Sequence, residues 1–262
     1  MSRRDLILKE LGLSPIWVRR QQPNVRVNVA TDVSGEIEAV SNPTQQASVA
    51  TSASGIADAD SARNRAAQIQ AMDWAQLGSS ASVCTACVLH QARKQAVLGV
   101  GDEKAEWLFV GEAPGAEEDE RGEPFVGQAG KLLDNMLAAI GLKRGENVYI
   151  ANVVKCRPPG NRTPEPAEGQ ACEPYLLRQI ELIGPRMIVA LGKVAAQSLL
   201  GEEVTLASLR GRVHRFRGKP LIVTYHPAYL LRTLNDKSKA WEDLCLAVET
   251  MKALKQEHAV PN

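Results

Sequence analysis

From Asp73 onward, short apolar runs alternate with stretches in which apolar residues return every three or four positions. "EWLFVGEAPG" (106–115) is an unbroken run ending in a Gly/Pro turn, the pattern of a strand buried on both faces. "GKLLDNMLAAIGL" (130–142) spaces Leu132, Leu133, Met136, Leu137 and Ile140 as one helical face, and Gly141 stops it. "NVYIANVV" (147–154) predicts a second strand, "CEPYLLRQIELIG" (172–184) a second helix and "MIVALG" (187–192) a third strand. "VAAQSLLG" (194–201) is a short helix, "LIVTYHP" (221–227) a fourth strand and "WEDLCLAVETMKALKQ" (241–256) a C-terminal helix. Strands separated by helices predict a three-layer α/β/α fold around a central four-stranded, mostly parallel sheet. No internal repeat interrupts this alternation.

Upstream the pattern fails. Residues 46–67 hold 12 Ala or Ser among 22, and the wider stretch 22–68 has no aromatic residue. Such a segment buries too little surface to offset its ordering entropy, so 21–70 is expected to be a flexible linker. Ahead of it, Leu6, Ile7, Leu8, Leu11, Leu13, Ile16 and Trp17 suggest a short amphipathic segment over 1–20. That segment either docks a protein partner or folds back on the main domain, which is expected over 71–262.

Composition narrows the class. Apolar residues make up 44% of the chain, with no apolar run of 18 or more, so no membrane span is expected. The opening residues are charged, and Lys9, Glu10 and Pro15 interrupt their apolar stretch, unlike a secretory signal. Five cysteines, an odd number, point to a reducing cytoplasm where clustered thiols hold metal more often than disulfides. The net charge of +1 hides a basic stripe: "RGRVHRFRGK" (210–219) carries five Lys or Arg and no acid. It reads either as a phosphate-binding surface or as a hairpin edge guarded by charge.

The predicted strand ends carry the candidate chemistry. Ligands of open α/β sheets sit outside the carboxyl ends of the strands. The first strand runs into Gly111, Glu112, Ala113, Pro114 and Gly115, followed by Glu117, Glu118 and Asp119; the second closes near Asn152, the third at Gly192-Lys193, and the last at His226-Pro227. Between the second strand and the next helix, "KCRPPGNRTPEPAEGQAC" (155–172) holds four prolines and two glycines, which predicts irregular structure bounded by Cys156 and Cys172. With Cys84 and Cys87 upstream, these make four thiols whose spacing suits zinc or an iron–sulfur cluster equally. Cys245 falls in the apolar register of the last helix and reads as core.

The blocks "GEAPGAEEDERGEPFVGQAGKLLDNML", "YIANVVKCRPPGNRTP" and "YHPAYLLR" resemble the signature blocks of the family 4 (type 4, iron–sulfur) uracil-DNA glycosylases, in order and near that family's spacing across residues 84–250. The resemblance implies a [4Fe–4S] cluster on Cys84, Cys87, Cys156 and Cys172. It implies a pocket in which Phe125 stacks an extruded uracil, Asn152 reads its N3 and O4, and His226 supports the leaving anion. It makes Glu112 the group that orients water and supports the cationic sugar. Ala113, Glu118 and Asn161 are implied to line that pocket. DNA contacts are expected from Arg157, Arg162, Arg210, Arg212, Arg215 and Arg232, with Leu230 or Leu231 as a wedge into the vacated stack.

The activity implied is hydrolysis of the uracil N-glycosidic bond in DNA, by a monomer, to begin base excision repair. The alternative is a catalytically weak DNA-binding or polymerase-associated module of the same fold. An electron-transfer protein has no need of the Phe, Asn and His set. A relative that forms a covalent adduct through a histidine in an inserted basic loop is discounted, since no such insert follows "GEAPG".

Overall fold

The computed structural model describes residues 54–201 and 204–257. The four predicted strands are all there: β2 (Trp107–Gly111), β3 (Val148–Asn152), β4 (Met187–Leu191) and β6 (Lys219–Thr224), each parallel to its neighbour. Two short strands that the apolar pattern did not predict close the edges. β1 (Val100–Gly101) lies antiparallel to β3, and β5 (Val213–Phe216) antiparallel to β6. Among the described residues the sheet is therefore six-stranded, in the order β1-β3-β2-β4-β6-β5, with the four-stranded parallel core intact. Neither edge strand has an apolar run to betray it. β1 is two residues long, and β5 alternates exposed and half-buried positions.

Helices cover both faces, completing the three layers. Successive strand residues point to opposite sides. Leu108, Val110, Ile188 and Ala190 share one apolar cluster with residues of α1 (Ser54–Gln70), α2 (Trp74–Ser82), α5 (Pro166–Ile183) and α6 (Lys193–Leu200). Trp107, Phe109, Val148 and Val189 share the other with α4 (Gln128–Ala139) and α9 (Lys237–Glu257). Three short helices, α3 (Ala116–Arg121), α7 (Leu206–Leu209) and α8 (Pro227–Arg232), fill the connections.

Two boundaries differ from the sequence reading. Ser54–Gln70, expected to be linker, is helical, and Ile69 is only 1% exposed. Its Ala-rich composition suits a helix, and that one buried residue ties its end to the core. The expected N-terminal segment 1–20 and the linker up to residue 53 lie outside the described residues. The second difference is in 155–172, which is not irregular throughout. Helix α5 starts at Pro166, where a first-turn proline sacrifices no hydrogen bond, and Glu168 reaches back to accept from Glu165 N at 2.7 Å. Cys172 therefore sits inside a helix. Cys245, expected in the core, is half-buried on α9.

Candidate active site

At β2 the chain order of the sheet reverses, with β3 on one side and β4 on the other, so a crevice opens at the carboxyl ends of the strands. A cavity of about 500 Å³ occupies that crevice, lined among others by Glu112, Ala113, Phe125, Asn152, Asn161 and His226. All of these were singled out from the sequence, and the fold brings them to one place.

The pocket floor is set by a close approach. Gly111 and Asn152 are register partners at the ends of β2 and β3. A Cβ on Gly111 would lie 2.4 Å from Asn152 Oδ1 and 2.6 Å from Phe125 Cζ. Only a bare backbone there lets the amide and the ring border the same space. Asn152 is 1% exposed, and its Oδ1 is buried with no partner among the described residues. An orphaned buried acceptor costs on the order of 1–3 kcal/mol.

The Phe125 and His226 rings, which both line the cavity, are in contact, with centroids 5.4 Å apart and planes at 31°. His226 caps α8: Ala228 N–H donates to its Nδ1 at 3.1 Å. Burial, and then the charge of Arg232, push its pKa down to about 4. The ring is therefore neutral near pH 7 with its proton on Nε2, which makes Nε2 a donor.

Glu112 follows β2 directly, and burial raises its pKa, partly offset by a hydrogen bond from Thr163. Glu118 also lines the cavity, but both of its oxygens are engaged. Oε2 accepts from Gly115 N at 3.1 Å, and Oε1 from Val126 N at 2.9 Å and Gly127 N at 3.2 Å. Its carboxylate thus ties the "GEAPG" turn to the Phe125 loop, a framing part that the resemblance did not reveal. Asn161 holds a left-handed backbone (φ 55°), and its Oδ1 accepts from Arg157 Nε at 2.7 Å.

The arginines divide. Arg162 and Arg232 line the cavity, and Arg157 reaches it through Asn161. Arg162 also pairs with the buried Glu168 carboxylate through both terminal nitrogens, at 2.8 and 2.6 Å. Arg210 is committed elsewhere. Its Nε donates to the buried Asp243 at 2.6 Å, it bonds the Lys239 carbonyl, and it lies over the Tyr225 ring. Arg212 precedes the edge strand β5, and Arg215 pairs with Pro220 at the starting end of β6, away from the strand ends that form the pocket. The basic stripe is thus a hairpin edge, and none of its arginines lines the cavity.

The four cysteines line one small cavity beside this site, together with His90, Arg93, Lys155 and Tyr175. Arg93 donates to Cys156 Sγ at 2.8 Å, Arg65 to Cys84 Sγ at 3.4 Å and Lys155 N to Cys172 Sγ at 3.2 Å. N–H donors aimed at sulfur suit electron-rich thiolates. Among the described residues, the cysteines form no group of three that could hold a single metal ion.

A protein-family model, the uracil DNA glycosylase superfamily, matches residues 98–245, more than half of the chain. The chain belongs to the uracil-DNA glycosylase superfamily. Within it, the chain is 53% identical over 156 residues to the Type-4 uracil-DNA glycosylase of Archaeoglobus fulgidus, a span covering 56% of this chain and 78% of that one. For the Type-4 uracil-DNA glycosylase of Thermotoga maritima the identity is 50% over 156 residues, covering 59% and 81%. For that of Pyrobaculum aerophilum it is 44% over 183 residues, covering 67% and 93%. These identities put the chain in the type-4 family. Every residue named above as lining the strand-end cavity lies inside the matched span, whereas Cys84, Cys87, His90 and Arg93 precede that span. Among the cavity-lining residues that went unmarked in the sequence, two carry polar side chains, Thr163 and Tyr229. Both lie inside the quoted blocks, and only their side-chain directions in the fold distinguish them.

Proposed function

We propose that this chain hydrolyses the N-glycosidic bond of uracil in DNA, releasing free uracil and leaving an abasic site, and so initiates base excision repair. One observation carries the reading: Asn152, whose buried Oδ1 has no partner among the described residues, lines the same cavity as the Phe125 ring and a neutral His226. A base inside a duplex must be extruded before its glycosidic bond can be reached. Uracil offers an N3–H donor and an O4 acceptor, matching Asn152 Oδ1 and Nδ2, whereas cytosine offers the reverse. A site that hydrogen-bonds one pattern leaves buried groups unpaired with the other, which supports discrimination of roughly 10⁴-fold.

Bond cleavage puts negative charge on the base and positive charge on the sugar. His226 Nε2–H serves the developing anion at O2, and the nearby Arg232 charge favours the same anion. Glu112 orients the attacking water and faces the cationic sugar. Ala113 and Gly115 offer small residues where the base edge comes close. Arg157, Arg162 and Arg232 are the phosphate contacts this geometry supports. Of the two candidate wedges, Leu231 is 43% exposed and Leu230 only 1%, so Leu231 takes the role.

The four cysteines suit a [4Fe–4S] cluster: all four line one cavity, and three N–H groups point at their sulfurs. When bound, the cluster supplies a four-point anchor for the loop carrying Asn161 and Arg162, and hydrolysis needs no electron from it. The five free thiols suit a reducing cytoplasm. No helix among the described residues is long and apolar enough to cross a membrane. One chain supplies every group, in keeping with a monomer, and residues 1–20 remain the candidate docking segment for a protein partner. Incubation with a uracil-containing oligonucleotide followed by alkali should cut the strand at uracil. Strand scission no greater than that of an H226A control rejects the proposal.

A further inference from the structure

The loop that carries Phe125 into the cavity is gripped from both sides. Glu118 holds the N–H groups of Val126 and Gly127. Arg144 holds the carbonyls: Nη1 donates to Pro124 O at 3.0 Å and Nη2 to Phe125 O at 2.8 Å. Its Nε donates to Asp134 Oδ1 on α4 at 2.8 Å, which fixes the guanidinium plane. Arg144 itself sits between α4 and β3 and is not among the cavity-lining residues. One planar, five-donor fork thus reaches two adjacent carbonyls and a carboxylate.

The grip has something to hold. Phe125 has φ 56°, a left-handed backbone that a bulky residue keeps only when its surroundings enforce it. On the other side of its carbonyl there is no slack: a Cβ on Gly130 would fall 1.8 Å from Phe125 O. The carbonyl is thus wedged between the bare backbone of α4 and the Arg144 fork. That carbonyl's orientation sets where the ring points.

We infer that Arg144 is a positioning residue for uracil excision, acting through the Pro124 and Phe125 carbonyls to hold the Phe125 ring where an extruded base stacks. The inference rests on reading Phe125 as the stacking surface. The test is a double-mutant cycle on the full, cluster-loaded chain with R144A, F125A and the double variant, measuring single-turnover excision of uracil. R144A should slow excision by roughly 10–10²-fold through misplacement of the ring. In the F125A background the same change should cost less than about threefold, because there is no ring left to misplace. Binding to DNA that already carries an abasic site should change less than about twofold, since no base remains to stack. An equal fold-loss in both backgrounds, or full activity of R144A, overturns the inference. If F125A excises uracil as fast as the parent protein, the stacking role itself fails, which is a separate and distinguishable outcome. Should R144A not fold, R144Q, which loses the fork but keeps a donor, enters the same cycle.

Discussion

His226 owes its neutral ring to burial and its tautomer to one backbone hydrogen bond. Because Ala228 N–H occupies Nδ1, protonating that nitrogen would break the cap of α8 as well as bury a charge. Its folded pKa of about 4 lies below the ordinary 6.5. Between these values the unfolded chain binds the proton that the folded chain refuses, so stability is full above pH 6.5 and drains as the pH falls toward 4. Thermal melts from pH 7 to pH 5 should show this decline, worth roughly 1–3 kcal/mol, and an H226N variant should show a flatter one. The anion-supporting role proposed for the same residue predicts that H226A lowers the excision rate by on the order of 10²–10³-fold, read in single-turnover assays. Asn152 makes a parallel case: N152D replaces the donor facing O4 with an acceptor and should reduce uracil excision by 10²-fold or more, roughly. These side chains were legible in the sequence because the chemistry resides in their own functional groups. Glu118 was legible as a pocket residue but not as a clamp, and Arg144 not at all. Both act on backbone groups of other loop residues, and no residue type advertises that.

The elements matter here chiefly through their ends. β2 and β3 were readable because strands covered on both faces have no polar positions to alternate. The edge strands lack such a face, and the first turn of α5 was hidden by prolines that happen to be harmless at a helix start. Helix α1 was read as linker because Ala and Ser carry little apolar signal, although Ile69 packs against the core. What pattern could not reveal is how tightly the strand ends meet. Adding one methyl at Gly111 would push into both Asn152 Oδ1 and the Phe125 ring. G111A should therefore cost about 1–3 kcal/mol of stability, the usual range for overpacking, and abolish most excision. Chemical denaturation alongside the oligonucleotide assay checks both. A G111A enzyme with unaltered activity would mean that the two side chains do not have to share that space.

For the molecule as a whole, charge placement and the cysteine anchor decide how the pocket meets DNA. If Arg157, Arg162 and Arg232 are the phosphate contacts, each lost contact should lower the slope of log affinity against log salt by about 1. R157A and R232A should do so, while R215A, at the opposite end of the sheet, should leave the slope unchanged. The anchor has a longer reach. Cys172 lies within α5 and receives the Lys155 N–H, while the buried Lys155 Nζ donates to Asn152 O at 2.7 Å and to Gln179 Oε1 at 2.6 Å. The same short segment thus joins the cysteine cavity to Asn152, the residue proposed to read the base. Arg65 of α1 bonds Cys84 Sγ and Ala171 O, the neighbour of Cys172, so the first described helix closes on the same cysteine cavity. Replacing Cys172 by Ser should remove absorbance near 400 nm, a wavelength set by the iron–sulfur reading. It should also lower the melting temperature by on the order of 10 °C, because loop, α1 and α5 lose a shared anchor. Activity should fall more than DNA affinity, since Asn152 is the residue tethered through Lys155. A C172S protein that kept both its colour and its melting temperature would show that the four sulfurs do not form one centre.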